Sequence, residues 1–195
     1  MRASRAIASA FFGCLIVGPA AAMAAIVYDE GVDGDISGDR LAPTSRSLSF
    51  GSNELTATSV SGDLEYITLS VPAGLQLDAV ILDAYVSLDS TAFIAVQSGT
   101  TFTEPPTGTD VSNLLGWSHF GTGLGQVGTD ILDDISVGAG AIGFVPPLSE
   151  GDYTYWIQQT GANSATYTLD FVVTPEPSTL ALLALGVPAL LRRRR

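Results

Sequence analysis

Apolar and polar positions alternate with period two through most of the middle of the chain. Over residues 64–71, Ile67, Leu69 and Val71 alternate with Tyr66, Thr68 and Ser70, and the run stops at Pro72-Ala73-Gly74. Residues 75–87 form a longer apolar run in which Leu75, Leu77, Val80 and Leu82 stand out. Residues 91–97 set Ala92, Ile94 and Val96 against Phe93, Ala95 and Gln97. Residues 153–159 and 165–173 flank Thr160-Gly161-Ala162-Asn163-Ser164, and Tyr167, Leu169, Phe171 and Val173 fall on one face. Successive side chains of a strand point to opposite faces, so each of these runs reads as a strand, and the last two read as a hairpin. Residues 47–50 and 54–60 are expected strands as well. No stretch carries a helical stripe. Roughly seven to nine short strands in one domain predict an all-β fold, an antiparallel β-sandwich.

The pattern blurs over residues 100–147. This stretch is rich in Gly, Thr and Asp and contains Pro105-Pro106 and Pro146-Pro147. It reads as long loops, with one or two strands near 131–137. Loops on a rigid β scaffold are where binding usually resides.

Both ends break the pattern. Arg2 and Arg5 precede an apolar stretch over 6–17, and small residues fill 20–25. That order marks residues 1–25 as a signal peptide, with cleavage after Ala24 or Ala25. Cys14 lies inside the apolar stretch, behind Phe11 and Phe12, whose bulk argues against a lipid-attachment site. At the other end, Pro175-Glu176-Pro177-Ser178 and Thr179 lead into apolar residues 180–191 and then Arg192, Arg193, Arg194 and Arg195. Each proline fixes its own φ, and Pro177 also biases Glu176 away from the helical region, so the tripeptide is expected to be extended and exposed. A helix over 180–191 would cover about 18 Å against a hydrocarbon core of about 30 Å. It suits a temporary membrane stop, with the arginines left on the cytoplasmic side.

This tail resembles the PEP-CTERM sorting signal of exosortase substrates in Gram-negative bacteria. The resemblance implies recognition near Pro175-Glu176-Pro177 by an exosortase-like membrane processing enzyme. It also implies a transient stay at the inner membrane, with Arg192 to Arg195 as the stop. The destination it implies is the cell surface or the extracellular space, in exopolysaccharide or biofilm biology. The chain then divides into a signal peptide at 1–25, an exported β-sandwich domain at 26–174 and a sorting signal at 175–195, with a helix expected at each end.

Charge narrows the partners. Residues 26–174 hold two basic side chains, Arg40 and Arg46, against nineteen acidic ones, a net of −17. Such a field excludes nucleic acid and anionic lipid as partners and favours cations, or solubility in a polymer matrix. The same residues contain no cysteine, which rules out disulfides and thiolate chemistry. Two segments, residues 63–74 and 148–155, resemble strand signatures of bacterial pre-peptidase C-terminal domains. That resemblance implies a jelly-roll-like sandwich, and some such relatives bind calcium or matrix polymers.

Three sets of residues could carry chemistry. Asp33, Asp35, Ser37 and Asp39 stand at alternate positions with glycines between some of them, a spacing that can wrap oxygens around a calcium ion or simply form a solvated acidic turn. Gly38 falls where an EF-hand loop has its glycine, but Thr44 stands where that loop closes with glutamate. His119, beside Ser118, is the single histidine, and a triad would need a carboxylate to orient it. Trp117, Trp156 and Tyr155 could stack on sugars or fill the core. The expectation is a non-enzymatic surface or matrix protein. A calcium- or polysaccharide-binding module and a small secreted hydrolase are the alternatives.

Overall fold

The computed structural model describes residues 24–108 and 110–177. The helices expected over the signal peptide and over 180–191 lie outside the described residues, apart from Ala24 and Ala25. The elements run β1 (Ala25–Asp29), α1 (Glu30–Asp33), β2 (Thr44–Ser47), β3 (Asn53–Ser59), β4 (Leu64–Val71), β5 (Leu75–Val86) and β6 (Ala92–Ser98). They continue with β7 (Gly116–Phe120), a 3-10 turn at Thr122–Leu124, α2 (Leu132–Ser136), β8 (Gly151–Gln159) and β9 (Ala165–Pro175).

Two sheets form. One has the order β1-β3-β9-β5 and the other β2-β4-β8-β6-β7. From β3 to β6 the chain crosses from one sheet to the other at every step. The result is a sandwich with jelly-roll order, as expected. On the far edge of β5 an eighth jelly-roll strand is replaced by irregular backbone, which bridges β5 at Ile81 opposite Asp130 and at Leu77 opposite Leu148 and adds backbone hydrogen bonds from 128–131 to Val80 and Leu82. The expected antiparallel pairing holds through the middle of both sheets. At one edge of each sheet it does not, because β1 runs parallel to β3 and β2 parallel to β4.

The inner faces carry the alternation read from the sequence. Ile67, Leu69 and Val71 from β4 and Tyr155 and Ile157 from β8 meet Tyr167, Leu169, Phe171 and Val173 from β9. Strand β5 breaks strict alternation because the register shifts between Leu77 and Ala79 and again between Leu82 and Ala84. Each bulge moves the next inward residue by one, which puts Leu77, Val80, Leu82 and Tyr85 inside together.

The five-stranded sheet is buried on its other face as well. Tyr66, Ala95 and Trp156 point outward from the sandwich and are covered by Phe102 and Leu114 of the 99–115 segment. Arg40 holds that segment down, donating to the carbonyls of Phe102 at 3.1 Å and Thr103 at 2.7 Å. The outer face of the other sheet stays wet. Threonines pair across its strands, Thr56 with Thr168 at 3.0 Å and Thr58 with Thr166 at 2.9 Å.

Four sequence expectations change. Residues 131–137 form the short helix α2 rather than a strand, because Ile131, Leu132 and Ile135 reach the core together only with helical spacing. Strands β8 and β9 are not a hairpin. The 160–164 connection carries the chain between sheets, where the Asp89 carboxylate accepts the Asn163 backbone N–H at 2.6 Å and its side-chain amide at 3.1 Å. The strand expected over 47–50 lies at Thr44–Ser47, and Phe50 is 61% exposed. Strands β1 and β7 were not anticipated.

One buried acid interrupts the apolar layer. Glu65 is 0% exposed, and the Tyr167 hydroxyl donates to its Oε2 while Oε1 has no partner. Burial disfavours the carboxylate and raises the group from 4.5 to about 8, against the opposing pull of the Tyr167 hydrogen bond; the nearby acids Glu30, Asp63 and Asp35 add to the rise.

Two predictions follow from the packing. Gly116 abuts α2, and a Cβ there would overlap the Ile135 carbonyl oxygen. Gly116→Ala should therefore force β7 and α2 apart and cost on the order of 1–3 kcal/mol, read as a lower urea midpoint. An unchanged midpoint would mean that the contact yields without cost. The second concerns pH. Glu65 holds its proton in the folded state across a range where the unfolded chain has lost it. The folded state then binds more protons, so stability falls as pH rises from the unfolded value toward about 8. One proton corresponds to about 1.4 kcal/mol per pH unit. Glu65→Gln keeps an acceptor for Tyr167 and should flatten that slope. An identical slope in the variant would assign the pH dependence to other acids.

Candidate functional site

The outer face of the five-stranded sheet gathers aromatic rings by register. Trp156 on β8 stands opposite Ala95 on β6, and Ala95 stands opposite Trp117 on β7. The short Ala95 side chain leaves space between the two indoles. Phe93 lies two residues along β6 and contacts both, with ring centroids 4.9 Å from Trp156 and 6.0 Å from Trp117. Tyr66 stacks on the far side of Trp156 at 6.0 Å, and Phe102 meets it edge-on at 5.7 Å. These contacts fix the Trp156 ring, and Trp117 is fixed by its indole N–H, which donates to the Ala139 carbonyl at 3.1 Å.

A cavity of about 270 Å³ opens between these rings and the 104–114 segment. Phe93, Trp117 and Trp156 form its floor, with Val111 and Leu114 above them. Among the described residues of its lining, Glu104, Asp110, Gln158 and Thr160 supply polar groups and none is basic. The Asn113 amide donates to Glu104 Oε1 at 2.7 Å, and Asp110 Oδ1 accepts the Ser112 backbone N–H at 2.9 Å. Trp156 is 9% exposed, and its indole N–H is buried without an acceptor. The Tyr66 hydroxyl is likewise buried without a partner, and burial pushes it up to about 12. Rings for stacking beside fixed carboxylates and an amide suit a small ligand that is apolar on one face and polar at its edge.

Of the aromatic residues singled out from the sequence, Trp117 and Trp156 share this site. Tyr155 does not. It points the other way from β8 and packs edge-on against Phe171 at 5.3 Å in the core. Phe93, Glu104, Asp110 and Gln158 were missed. The alternation of Phe93 with Ile94 and of Gln158 with Ile157 was the available signal, once Trp156 was assigned to the outer face.

The acidic turn is arranged differently from the expectation. Asp33 pairs with Arg46 at 3.4 Å and accepts the Asp29 backbone N–H at 3.0 Å. Asp39 accepts the Leu41 backbone N–H at 2.9 Å. Asp35 lies near Glu30 instead, whose carboxyl is raised by burial and by the neighbouring Asp35, and whose Oε2 accepts the Thr58 backbone N–H at 2.6 Å. The three aspartates thus do separate local work. Among the described residues no three His, Cys, Asp or Glu side chains are grouped to hold a metal ion. His119 is exposed on β7, edge-on to Phe93 at 5.9 Å and to Trp117 at 6.0 Å. The Ser118 hydroxyl donates to the His119 carbonyl at 3.0 Å.

The start of the tail belongs to the folded domain. Pro175 is the last residue of β9 and pairs with Leu75, and the Glu176 N–H donates to the Gly74 carbonyl at 3.0 Å. Pro175 is extended, as expected, but Glu176 is half-buried, and Pro177, though exposed, is already helical rather than extended. Arg192 to Arg195 lie outside the described residues. No helix among the described residues is long and apolar enough to cross a membrane. No curated protein matches the chain in sequence. Residues 173–195 match the family model of the PEP-CTERM protein-sorting motif. Such motifs are recognised by exosortase, a membrane enzyme, and imply export, membrane-associated processing and a surface or extracellular destination. The chain is thus an exported β-sandwich protein that ends in a PEP-CTERM sorting motif, as exosortase substrates do.

Proposed function

We propose that the sandwich is a non-catalytic surface or matrix protein, brought to its place by exosortase processing and associated there with exopolysaccharide. The observation that carries this reading is the sorting motif at residues 173–195, joined without a linker to the last strand of the sandwich. Two features of the domain support it. A net charge of −17 over residues 26–174 keeps such a domain soluble and unattached to anionic surfaces. The aromatic cavity on the outer sheet face offers the stacking walls that sugars use. A hydrolase using His119 has less support, since the Ser118 hydroxyl donates to a backbone carbonyl rather than to the imidazole.

Fractionation of the host tests the reading. The wild-type protein should be recovered shortened, with the cell surface or the extracellular polysaccharide, and should pass into the medium in a strain that makes no such polymer. Replacing Pro175, Glu176 and Pro177 by alanine should leave most of the protein uncut in the inner membrane. Normal shortening and surface delivery of that variant would remove the tripeptide as a recognition element. Unchanged retention without polymer would remove the exopolysaccharide link.

A further inference from the structure

We propose that the cavity between Trp117 and Trp156 is a subsite for one cationic amino-sugar unit, a hexosamine with a free ammonium group, carried by a polysaccharide. The proposal rests on the reading of the domain as an exopolysaccharide-associated protein and names the chemistry that this one site selects.

Size, shape and charge lead to this ligand. At about 270 Å³ the cavity falls just below the range of about 300–1,000 Å³ typical of drug-sized ligands, which leaves room for about one ring. Its floor is three aromatic rings, two of them held in place by further contacts. The rings are tilted against one another, Phe93 by 31° to Trp117 and by 66° to Trp156, so a pyranose face with its axial hydrogens packs on Trp117, the more exposed indole. A cation is drawn to the same rings by their quadrupoles.

The polar groups decide between sugar classes. Glu104 and Asp110 both line the cavity, and none of its described lining residues is basic. The two arginines of the exported domain are engaged elsewhere, Arg40 on the carbonyls of Phe102 and Thr103 and Arg46 on Asp33 and over the Tyr28 ring. A uronate unit would meet two carboxylates with no counter-charge. Water solvates both carboxylates in the free protein, since Asp110 is exposed and Glu104 partly so, and a neutral unit gains no ionic contact from them. An ammonium group gains charge-assisted hydrogen bonds. Gln158 adds an amide that can donate to or accept from the ring hydroxyls. The carboxylates are set in place before any ligand arrives, Glu104 by Asn113 and Asp110 by the Ser112 backbone N–H. Little ordering is then needed on binding.

The test is calorimetric titration of the processed protein, recovered from its host, with a glucosamine trimer at mildly acidic pH. The N-acetylated trimer, a neutral glucose trimer and trilysine serve as controls. The glucosamine trimer should bind one to one and at least tenfold more tightly than either uncharged trimer. The double variant Glu104→Gln, Asp110→Asn should lose that preference while keeping its melting temperature, because each amide oxygen can still accept the hydrogen bond that holds it. Trp117→Ala should weaken the glucosamine trimer at least tenfold and leave trilysine unchanged. Equal binding of all three sugar trimers would overturn the ammonium assignment. Equal binding of trilysine and the glucosamine trimer, insensitive to Trp117→Ala, would assign the effect to overall charge and overturn the site. If the trimer does not bind while the protein still fractionates with the matrix, this inference falls and the proposed function stands. Binding of the trimer with no matrix association supports the site and removes that function.

Discussion

The structure depends on aromatic packing between its two sheets. Tyr155 of β8 meets Phe171 of β9 edge to face at 5.3 Å, and Phe120 of β7 meets Tyr167 of β9 in the same way at 5.6 Å. Such pairs add about 0.5–1.5 kcal/mol each beyond the area that they bury. No disulfide can assist them, because residues 26–174 contain no cysteine. Three of these four rings lie on strands inside the sheets, β9 between β3 and β5 and β8 between β4 and β6, while Phe120 lies on the edge strand β7. The periphery is held differently. Strands β1 and β2 lie at opposite sheet edges, and Arg46 ties their segments together, with its guanidinium 4.9 Å from the Tyr28 ring and 3.4 Å from Asp33.

Where one face of a strand is core and the other is wet, alternation alone was enough. Strand β9 shows this best, with Tyr167, Leu169, Phe171 and Val173 inside and the threonine ladder of Thr166 and Thr168 outside. Strand β4 was legible end to end because Pro72-Ala73-Gly74 closes it, with the Leu75 N–H donating to the Pro72 carbonyl at 3.1 Å and Gly74 at a φ of 76°. The signal failed where local pattern and tertiary pairing separate. A five-residue link between two strands reads as a hairpin unless the strands have better partners, and here β8 and β9 find theirs in different sheets. Strand β7 is five residues long and glycine-flanked, too short for a period to show. Helix α2 has no side-chain N-cap to announce it, and its Ile-Leu-Asp-Asp-Ile sequence fits either period.

The candidate site was legible only in part, for a related reason. Trp156 and Tyr155 are neighbours in sequence, and no composition rule says which one faces the core. The register settles it, and the covering 99–115 segment then makes the outward face an enclosed surface. Glu104 and Asp110 enter the site from that segment, where no periodic pattern marks them. The acidic turn shows where spacing alone does not decide between a metal loop and a solvated turn. Asp33, Asp35, Ser37 and Asp39 are evenly spaced in sequence, but a helical turn at Glu30–Asp33 and a glycine at Gly34 with φ of 90° send the aspartates in different directions. Even spacing gathers oxygens around a point only when the backbone curls uniformly.

The sorting motif and the fold share residues. Strand β9 is hydrogen-bonded on both sides, and its register with β5 runs to Leu75 opposite Pro175, inside the matched region. The Glu176 N–H then reaches the Gly74 carbonyl. A processing enzyme that reads the tripeptide therefore meets it against the end of a folded sheet. The turn at Pro72-Ala73-Gly74 forms part of that surface, and Glu150 secures it by accepting the Gly74 N–H at 2.8 Å. Pro175 suits this position physically. It continues the extended backbone of β9 while bringing no N–H that would require a further strand partner. One proline thus ends the pairing of the sandwich inside the region that matches the sorting motif.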